Sequence, residues 1–285
     1  MRARVTFRAM ARDDIDDVHR LQAVAFEDLD RRFGDPPFPP ADIAHARVRL
    51  GRPLETDPGG CWIAERDGRV VGCALAIVRD GLWGLSLLVV HPDAQSDGVG
   101  RELLRLSYDY GDRANGWIVL ASRDERALRS YSRLGLELHP AAMASGRPSG
   151  VRPAAAVRPG TLADIPLTEA IDRAVRGAAH GEDVKAMLAV GGRVLVHPER
   201  GYAVERDGAV RLLAATDDAA AADLLRTVLA TARDRAMVEW LTARQSWAVP
   251  VCLDAGLRLR LDGGAVFVAG DVGPFRPYLP SGAYL

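Results

Sequence analysis

The chain has 285 residues, a formal net charge of -1 at pH 7 and a hydrophobic share of 48%. Because one domain usually holds about 100 to 200 residues, this length predicts two lobes. The composition excludes a disordered or collagen-like chain, and the lack of excess basic charge argues against nucleic acid as a partner.

The first residues predict one strand followed by two helices. Val5 to Arg8 has a strand-like pattern, and the acidic residues from Asp13 to Asp17 suit a helix start, because negative charge complements the helix dipole there. Apolar residues recur at helical spacing from Ile15 to Phe26, which predicts a helix with one buried face. A second helix is predicted from Ala41 to Arg49, and a loop rich in proline and glycine from 51 to 60.

The clearest predicted element is a β-hairpin. Two apolar runs, 62–65 and 70–78, flank the pair Asp67-Gly68, which suits a tight turn between antiparallel strands. A further strand is predicted from Leu85 to Val90, and a helix from Gly98 to about Tyr110.

A stretch rich in alanine, serine, glycine and proline divides the chain. It predicts a first domain at 1–143, a linker at 144–156 and a second domain at 157–285, which we call the first and second lobes.

Short matches indicate that the second lobe repeats the first. Arg158 to Ile165 echoes Arg8 to Ile15, and the string Glu-Arg-Asp-Gly occurs both at 65–68 and at 205–208. The interval from Asp67 to Gly135 is 68 positions, whereas that from Asp207 to Gly256 is 49. This difference predicts that the second copy lacks the strand and loop that correspond to residues 85–100.

The most informative segment runs from Leu87 to Leu104, a buried strand followed by a glycine-containing loop and a helix start. Glycine lets the backbone approach a ligand closely, and the free amides at a helix N-terminus attract anions. The segment could therefore hold a pyrophosphate. An ordinary strand-to-helix turn would show the same pattern, so the residues alone leave both interpretations open.

Two motifs in this order resemble the GNAT superfamily of N-acetyltransferases. Gln95-Ser96-Asp97-Gly98-Val99-Gly100 is similar to its motif A, Gln/Arg-x-x-Gly-x-Gly/Ala, and residues 124–136 are similar to its motif B, Asn-x-x-Ala-x-x-x-Tyr-x-x-x-Gly-Phe. The resemblance covers residues 3 to about 139. It implies an α/β (α+β) fold of two GNAT-like lobes, each with a central mixed, mostly antiparallel twisted sheet flanked by helices, and a degenerate second lobe.

The resemblance also implies that acetyl-CoA binds to the first lobe. Its pantetheine arm would lie along the strand near Leu88 and Val90, and its pyrophosphate on amides of residues 95–100. Two residues depart from the family pattern: Asp97 replaces a basic or small residue, and Asp124 replaces an asparagine. The implied cofactor-binding residues are Leu88, Val89, Val90, Gln95, Ser96, Asp97, Gly98, Val99, Gly100, Arg101, Asp124, Ala127 and Tyr131.

The implied general acid is Tyr131, which would protonate the thiolate that leaves when an amine attacks the thioester. A tyrosine packed on the sheet with its hydroxyl at the edge is the structural alternative. The resemblance places oxyanion stabilisation on the backbone amide of Val90. For the general base, the strand before motif A offers no carboxylate, and Ser86 could hold a relaying water.

His91, Glu65 and Glu27 are the remaining candidates for the base. The six histidines do not form a local metal motif, and neither do Cys61, Cys73 and Cys252, so we predict no metal. Free cysteines fit a reducing cytoplasm, and no signal peptide or run of ~20 apolar residues is present. We expect a soluble cytoplasmic protein without membrane contact, as a monomer or homodimer.

The second lobe passes from Leu212 to Asp218 into an alanine- and leucine-rich helix without a glycine loop. Cys252 stands where the first lobe has Tyr131, four residues before a glycine. We expect this lobe to bind no cofactor and to support the first lobe at its acceptor cleft. The segment from Arg276 to Gly282 is predicted to add an extended edge segment.

The favoured function is acetyl-CoA-dependent transfer of an acetyl group to a primary amine of a small molecule or peptide. A non-catalytic acyl-CoA sensor is the second interpretation, and a structural dimerisation protein is the third. Residues 31–60 are expected to line the acceptor pocket, because acceptor pockets are built from variable loops.

Overall fold

The first predicted strand, helix and hairpin are present in the computed structural model, which describes residues 4–35 and 42–285. Two sheets, each flanked by helices, give the α/β fold that the sequence predicts. Contacts divide the chain into two units, one formed by Met1–Val78 and Trp83–Ala114, and the other by Arg79–Leu82 and Asn115–Leu285.

The first unit holds four neighbouring strands in the order β1-β2-β3-β4, together with three helices. The hairpin turn between β2 and β3 has positive φ at Asp67 and at Gly68, 52° and 71°. This conformation explains the Asp-Gly pair, because both residues tolerate it. The elements of this unit are β1 (Thr6–Ala9), α1 (Ile15–Phe33), α2 (Ile43–Thr56), β2 (Cys61–Arg66), β3 (Arg69–Arg79), β4 (Leu82–Val90) and α3 (Val99–Asp109).

Helix α2 is longer than predicted and continues through Pro53 to Thr56, so the loop predicted from residue 51 is wrong for these positions. Leu50 is fully buried in the core that α1 and α2 share with the sheet, and Leu54 packs against the same core. Burial of these side chains outweighs the helix-breaking tendency of one proline. Residues 36–41 of the predicted acceptor region lie outside the described residues.

The second unit contains the remaining strands in two groups. One group has the order β5-β14-β6, and the other, which we call the second sheet, has the order β13-β7-β12-β11-β10-β9-β8. The elements are β5 (Gly116–Ala121), α4 (Glu125–Arg133), β6 (Glu137–Pro140), β7 (Ala142–Gly146), β8 (Arg158–Pro159), α5 (Ile165–Arg176), α6 (Glu182–Ala189), β9 (Arg193–His197), β10 (Gly201–Arg206), β11 (Ala209–Ala215), α7 (Asp218–Thr231), β12 (Ala236–Leu241), α8 (Ala248–Asp254), β13 (Arg258–Arg260), β14 (Ala265–Gly270) and β15 (Tyr278–Leu279).

Two strands of this unit are exchanged between the groups. β7, which spans the predicted boundary between the first lobe and the linker, pairs with β12 and β13 of the second sheet. β14, from the second lobe, pairs with β5 and β6. The compact units therefore have bounds other than 143 and 156, and the division of the chain into domains stays a prediction.

The alignment of the two lobes that the repeated Glu-Arg-Asp-Gly string predicted is wrong. Strands β8 to β11 follow the same order as β1 to β4, so the second sheet contains the fourth strand that the sequence spacing predicted to be missing. The Glu-Arg-Asp-Gly string lies between β2 and β3 but, in the second sheet, between β10 and β11. Asp207 and Gly208 have φ of 53° and 76°, as the pair in the first turn does. The string recurs because a two-residue hairpin turn selects these residues at any position.

Candidate functional site

The glycine loop connects the end of β4 to the N-terminus of α3, which has no side-chain cap in the part of the chain that the structure describes. The loop turns through Ser96 and Gly98, whose φ angles are 67° and 83°, and α3 begins at Val99. No side chain among the described residues caps this helix, and the first helical bond runs from the Glu102 N–H to the Gly98 carbonyl, 3.1 Å. The amides of the first turn are therefore directed toward any anion bound beyond the helix end.

Gln95 and Gly100 hold this loop against the end of β4. The Gln95 Nε2 donates to the Val90 carbonyl at 3.0 Å. A Cβ on Gly100 would lie 3.4 Å from the Val90 Cγ2, so the helix start packs closely on the end of the strand.

Asp97 forms an ion pair with Arg66, the last residue of β2. The Arg66 guanidinium donates to the Asp97 carboxylate at 2.7 Å, and the side chains are 16% and 24% exposed. A second guanidinium nitrogen of Arg66 donates to the Asp93 carbonyl at 3.4 Å. The carboxylate that departs from the family pattern is thus compensated by a cation. Sequence reasoning missed Arg66, whose only signal is a charge opposite to that of a residue 31 positions away.

The end of β4 alternates buried and half-buried side chains. Val89 is buried, whereas Leu88 and Val90 are half-buried and pack with Val99 and Leu103 of α3. Ser86 is buried, and its carbonyl accepts a hydrogen bond from Arg49 at 2.6 Å. Contacts with α2 and α3 therefore hold the part of β4 along which the pantetheine arm is predicted to lie.

The other candidates for a general base are already engaged. Arg8 donates to the Glu65 carboxylate at 2.9 Å and lowers its pKa, so Glu65 is a weaker base than an ordinary glutamate. Glu27 pairs with Arg31 on the exposed side of α1. The Nδ1 of His91 accepts from the Asp93 N–H at 3.2 Å.

Tyr131 lies on α4 in the second unit and is 5% exposed. Its ring packs edge-on against Phe267 of β14, with ring centres 5.5 Å apart. Burial raises the pKa of its hydroxyl well above the ordinary value, and the charge of Asp124 adds to this effect. The phenol is therefore protonated at neutral pH, as a general acid must be.

Asp124 starts helix α4 and occupies its N-cap position. Its carboxylate accepts from the Arg126 N–H at 2.9 Å and forms an ion pair with the same residue at 2.6 Å. Ala127 lies half-buried in the first turn. The aspartate that departs from the family's asparagine thus has a structural role in this helix.

The second sheet ends differently at the corresponding place. Only two residues separate β11 from α7, which confirms that no glycine loop is present there. Asp217 caps α7 by accepting from the Ala220 N–H at 3.0 Å. Cys252 is fully buried, and burial raises the pKa of its thiol to about 12. The second lobe thus has a capped helix terminus here and a cysteine at the position that corresponds to Tyr131.

The first part of the chain is similar to a known protein family. A model of the Acetyltransferase (GNAT) family matches residues 18–136. No curated protein matches the sequence. The family match contains both β4 and the loop before α3, together with Tyr131.

Solved structures show that the fold extends over both lobes. A protein from Pyrococcus horikoshii, provisionally assigned as an acetyltransferase, has 17% identity and a TM-score of 0.79 over 98% of this chain and 95% of its own. A GCN5-related N-acetyltransferase from Sphaerobacter thermophilus has 16% identity and a TM-score of 0.60, with 98% of each chain covered. A tandem GNAT protein from the clavulanic acid biosynthesis pathway has 14% identity and a TM-score of 0.58 over 94% of this chain and 98% of its own. At these identities the likeness shows the fold.

Two features are not found within the described part of the chain. None of its helices has the length and apolar character needed to cross a membrane. No three side chains of histidine, cysteine, aspartate or glutamate group together there so that they could hold a metal ion.

Proposed function

We propose, on the premise that residues 18–136 are a GNAT acetyltransferase domain, that the chain acetylates a primary amine of a small molecule or peptide. Bound acetyl-CoA would supply the thioester that the amine attacks directly. The proposal makes the first lobe the catalytic one and the second lobe a support for it.

One observation carries the proposal: the N-terminus of α3 is uncapped and follows the end of β4 through a glycine loop. The amides of Val99, Gly100 and Arg101 would bind the diphosphate, because a helix end offers unpaired N–H groups and a favourable dipole. The Arg66–Asp97 ion pair removes the repulsion that an isolated carboxylate in this loop would cause.

Tyr131 would hold the proton that the leaving sulfur takes up. Its buried hydroxyl has a raised pKa, so it carries this proton throughout the neutral range. Its ring packs edge-on against Phe267 of β14. The proposed step is transfer of this proton to the leaving thiolate.

The acceptor amine must lose a proton before it attacks. We propose that the hydroxyl of Ser86 holds a water for this step. Arg49 fixes the Ser86 backbone from α2. Glu65 is the less favourable choice, because Arg8 lowers its pKa.

A second candidate function is that of an acyl-CoA sensor without turnover. The engagement of Glu65 by Arg8 favours it, since the carboxylate on β2 is then a poor base. The two functions make different predictions for thiol release.

The test is release of free thiol from acetyl-CoA with a panel of small and peptide amines. We expect turnover with at least one amine, and a fall in kcat of about 100-fold or more for Tyr131→Phe. The affinity for CoA should stay the same, because the phenol acts in the chemical step. Tyr108→Phe, which changes a tyrosine at the far end of α3, is the matched control.

Binding of acetyl-CoA without thiol release for any amine would support the sensor. Turnover that survives in Tyr131→Phe would remove the proposed general acid.

A further inference from the structure

Strands β11 and β12 separate soon after they pair. Their parallel pairing is found at Ala209 and Met237, near the start of β11. Farther along, β11 pairs instead with β15, Leu213 opposite Leu279 and Ala214 opposite Tyr278. The Ala215 N–H continues this ladder by donating to the Pro277 carbonyl at 3.1 Å. The chain's own segment 276–285 thus pairs along the free part of β11.

The place of this pairing in the fold corresponds to the end of β4. β11 is the fourth strand in the series β8 to β11, as β4 is in the series β1 to β4, and each is followed by a helix. Residues 213–215 are the last three of β11, and residues 88–90 are the last three of β4. The latter are the positions along which the pantetheine arm is proposed to lie.

We propose that the segment 276–285 occupies, in the second lobe, the place that the pantetheine arm takes in the first, and that the carboxylate of Asp217 occupies the place of the diphosphate. The inference rests on the proposed function, which supplies the first half of the comparison. It follows that the second lobe is closed to acyl-CoA by its own chain and that each chain binds one cofactor molecule.

The segment contributes to the cores on both sides of the second sheet. Tyr278 and Leu279 are 0% and 2% exposed. Tyr278 belongs to the core cluster that contains α5, and Leu279 to the cluster that contains α7. Alternate side chains of an added strand point to opposite faces of a sheet, so the segment fills the gap as a true strand.

A buried polar network also fixes the segment. The Tyr278 hydroxyl donates to the Leu285 carbonyl at 2.5 Å, and the His180 Nε2 lies 2.6 Å from the same oxygen. The Asp172 carboxylate lies 2.9 Å from the His180 Nδ1 and accepts a hydrogen bond from the Tyr202 hydroxyl at 2.6 Å. Because these groups are buried, release of the segment would leave several of them unpaired.

At the start of α7, the Asp217 carboxylate takes the place proposed for the diphosphate in the first lobe. The Asp217 carboxylate accepts from the Ala220 amide, as a bound phosphate oxygen would, and Arg200 pairs with it at 2.5 Å. Arg276, the first residue of the segment, pairs with Asp218 in the first turn. An incoming diphosphate would therefore find the Ala220 amide already bonded to the Asp217 carboxylate.

The test is calorimetric titration of the full chain with CoA, together with amide hydrogen exchange at residue resolution. We expect one CoA per native chain, with slowed exchange in peptides that cover residues 88–104 and no slowing at 211–220. Gly98→Val should abolish the heat of binding, because valine is strained at a φ of 83°. Two CoA molecules per chain, or a CoA that still binds Gly98→Val and slows exchange at 211–220, would overturn the inference.

A second measurement needs no cofactor. Leu279→Asp should speed exchange of the Ala215 amide at least tenfold, since it places a charge at a buried position of the ladder. Leu253→Asp, at a half-exposed position of α8, is the matched control and should leave that amide unchanged. If Leu279→Asp does not fold, Tyr278→Phe, which removes the hydroxyl contacts with Leu285 and His180, should speed the same exchange to a smaller degree.

An Ala215 amide that exchanges at the native rate in the folded variants would overturn the inference. If the native chain binds no CoA at all, the proposed function fails, while the exchange of Ala215 still decides whether the segment fills the gap.

Discussion

The loop proposed to hold the diphosphate contains an acidic residue, Asp97. The variant Arg66→Gln tests whether the loop tolerates this residue because Arg66 compensates its charge. The two side chains of the Arg66–Asp97 pair are 16% and 24% exposed. In its exposure, this pair is intermediate between two kinds of ion pair. Exposed pairs contribute about 0.2–1 kcal/mol, whereas loss of one partner of a buried pair costs about 3–5 kcal/mol. Arg66→Gln therefore leaves a poorly compensated carboxylate in the loop proposed to hold the diphosphate.

The expected size follows from the charges involved. At an effective dielectric constant of about 20, a carboxylate about 7 Å from a phosphate charge repels it by about 2 kcal/mol before salt screening. We expect Arg66→Gln to weaken binding by about 1–2 kcal/mol, which is a rise of roughly 5- to 30-fold in the Kd of CoA. Asp97→Asn should leave the Kd within about threefold of the native value, because it removes the repelling carboxylate and, with it, the ion pair to Arg66.

The double variant Arg66→Gln/Asp97→Asn distinguishes electrostatics from a structural effect. It should recover most of the lost affinity, since no carboxylate remains to be compensated. The effect of Arg66→Gln should also shrink at 1 M salt, where the Debye length is about 3 Å. Arg69→Gln, which removes an exposed arginine of the same hairpin, is the control. A double variant that binds CoA as weakly as Arg66→Gln would refute the reasoning and leave Arg66 as a clamp of the loop.

Three further predictions concern Tyr131, Phe267 and Asp164. Because burial raises the pKa of Tyr131, thiol release should show no loss from phenol ionisation up to pH ~10, and an alkaline limb near pH 9 that disappears in Tyr131→Phe would contradict this. Phe267→Ala should lower the free energy of unfolding, measured in urea, by about 3–5 kcal/mol, since the ring is fully buried. The bond from Arg158 lowers the pKa of Asp164 to about 2, so its stabilisation is complete above pH ~4 and is lost as the pH falls through about 2. Asp164→Asn should therefore cost about 1 kcal/mol at pH 7 and much less at pH 2, as unfolding at the two pH values would show.

The parts of the structure that the sequence predicted are those set by local chemistry. The Asp67-Gly68 turn, the acidic start of α1 and the loop through Gly98 each depend on a few adjacent residues, whose backbone preferences are strong. The same local rule misled the comparison of the two lobes, because Asp207-Gly208 forms an equivalent turn between a different pair of strands.

The parts that the sequence did not predict depend on residues that are distant in the chain. Helix α2 continues through Pro53 because Leu50 is buried against the sheet. β14 pairs with β5 more than a hundred residues earlier, and strand propensity carries no information about the choice of partner. The Arg66–Asp97 pair and the pairing of β15 with β11 are contacts of the same kind.

The exchange of β7 and β14 explains why the lobe proposed to be catalytic needs the other lobe. β14 lies between β5 and β6, and its Phe267 provides the ring against which Tyr131 packs. Without β14, Tyr131 would lose the apolar neighbour that buries it, and burial is the main cause of its raised pKa. β7 in turn fills the place between β12 and β13 of the second sheet. The proposed general acid therefore depends on a strand that the second lobe contributes.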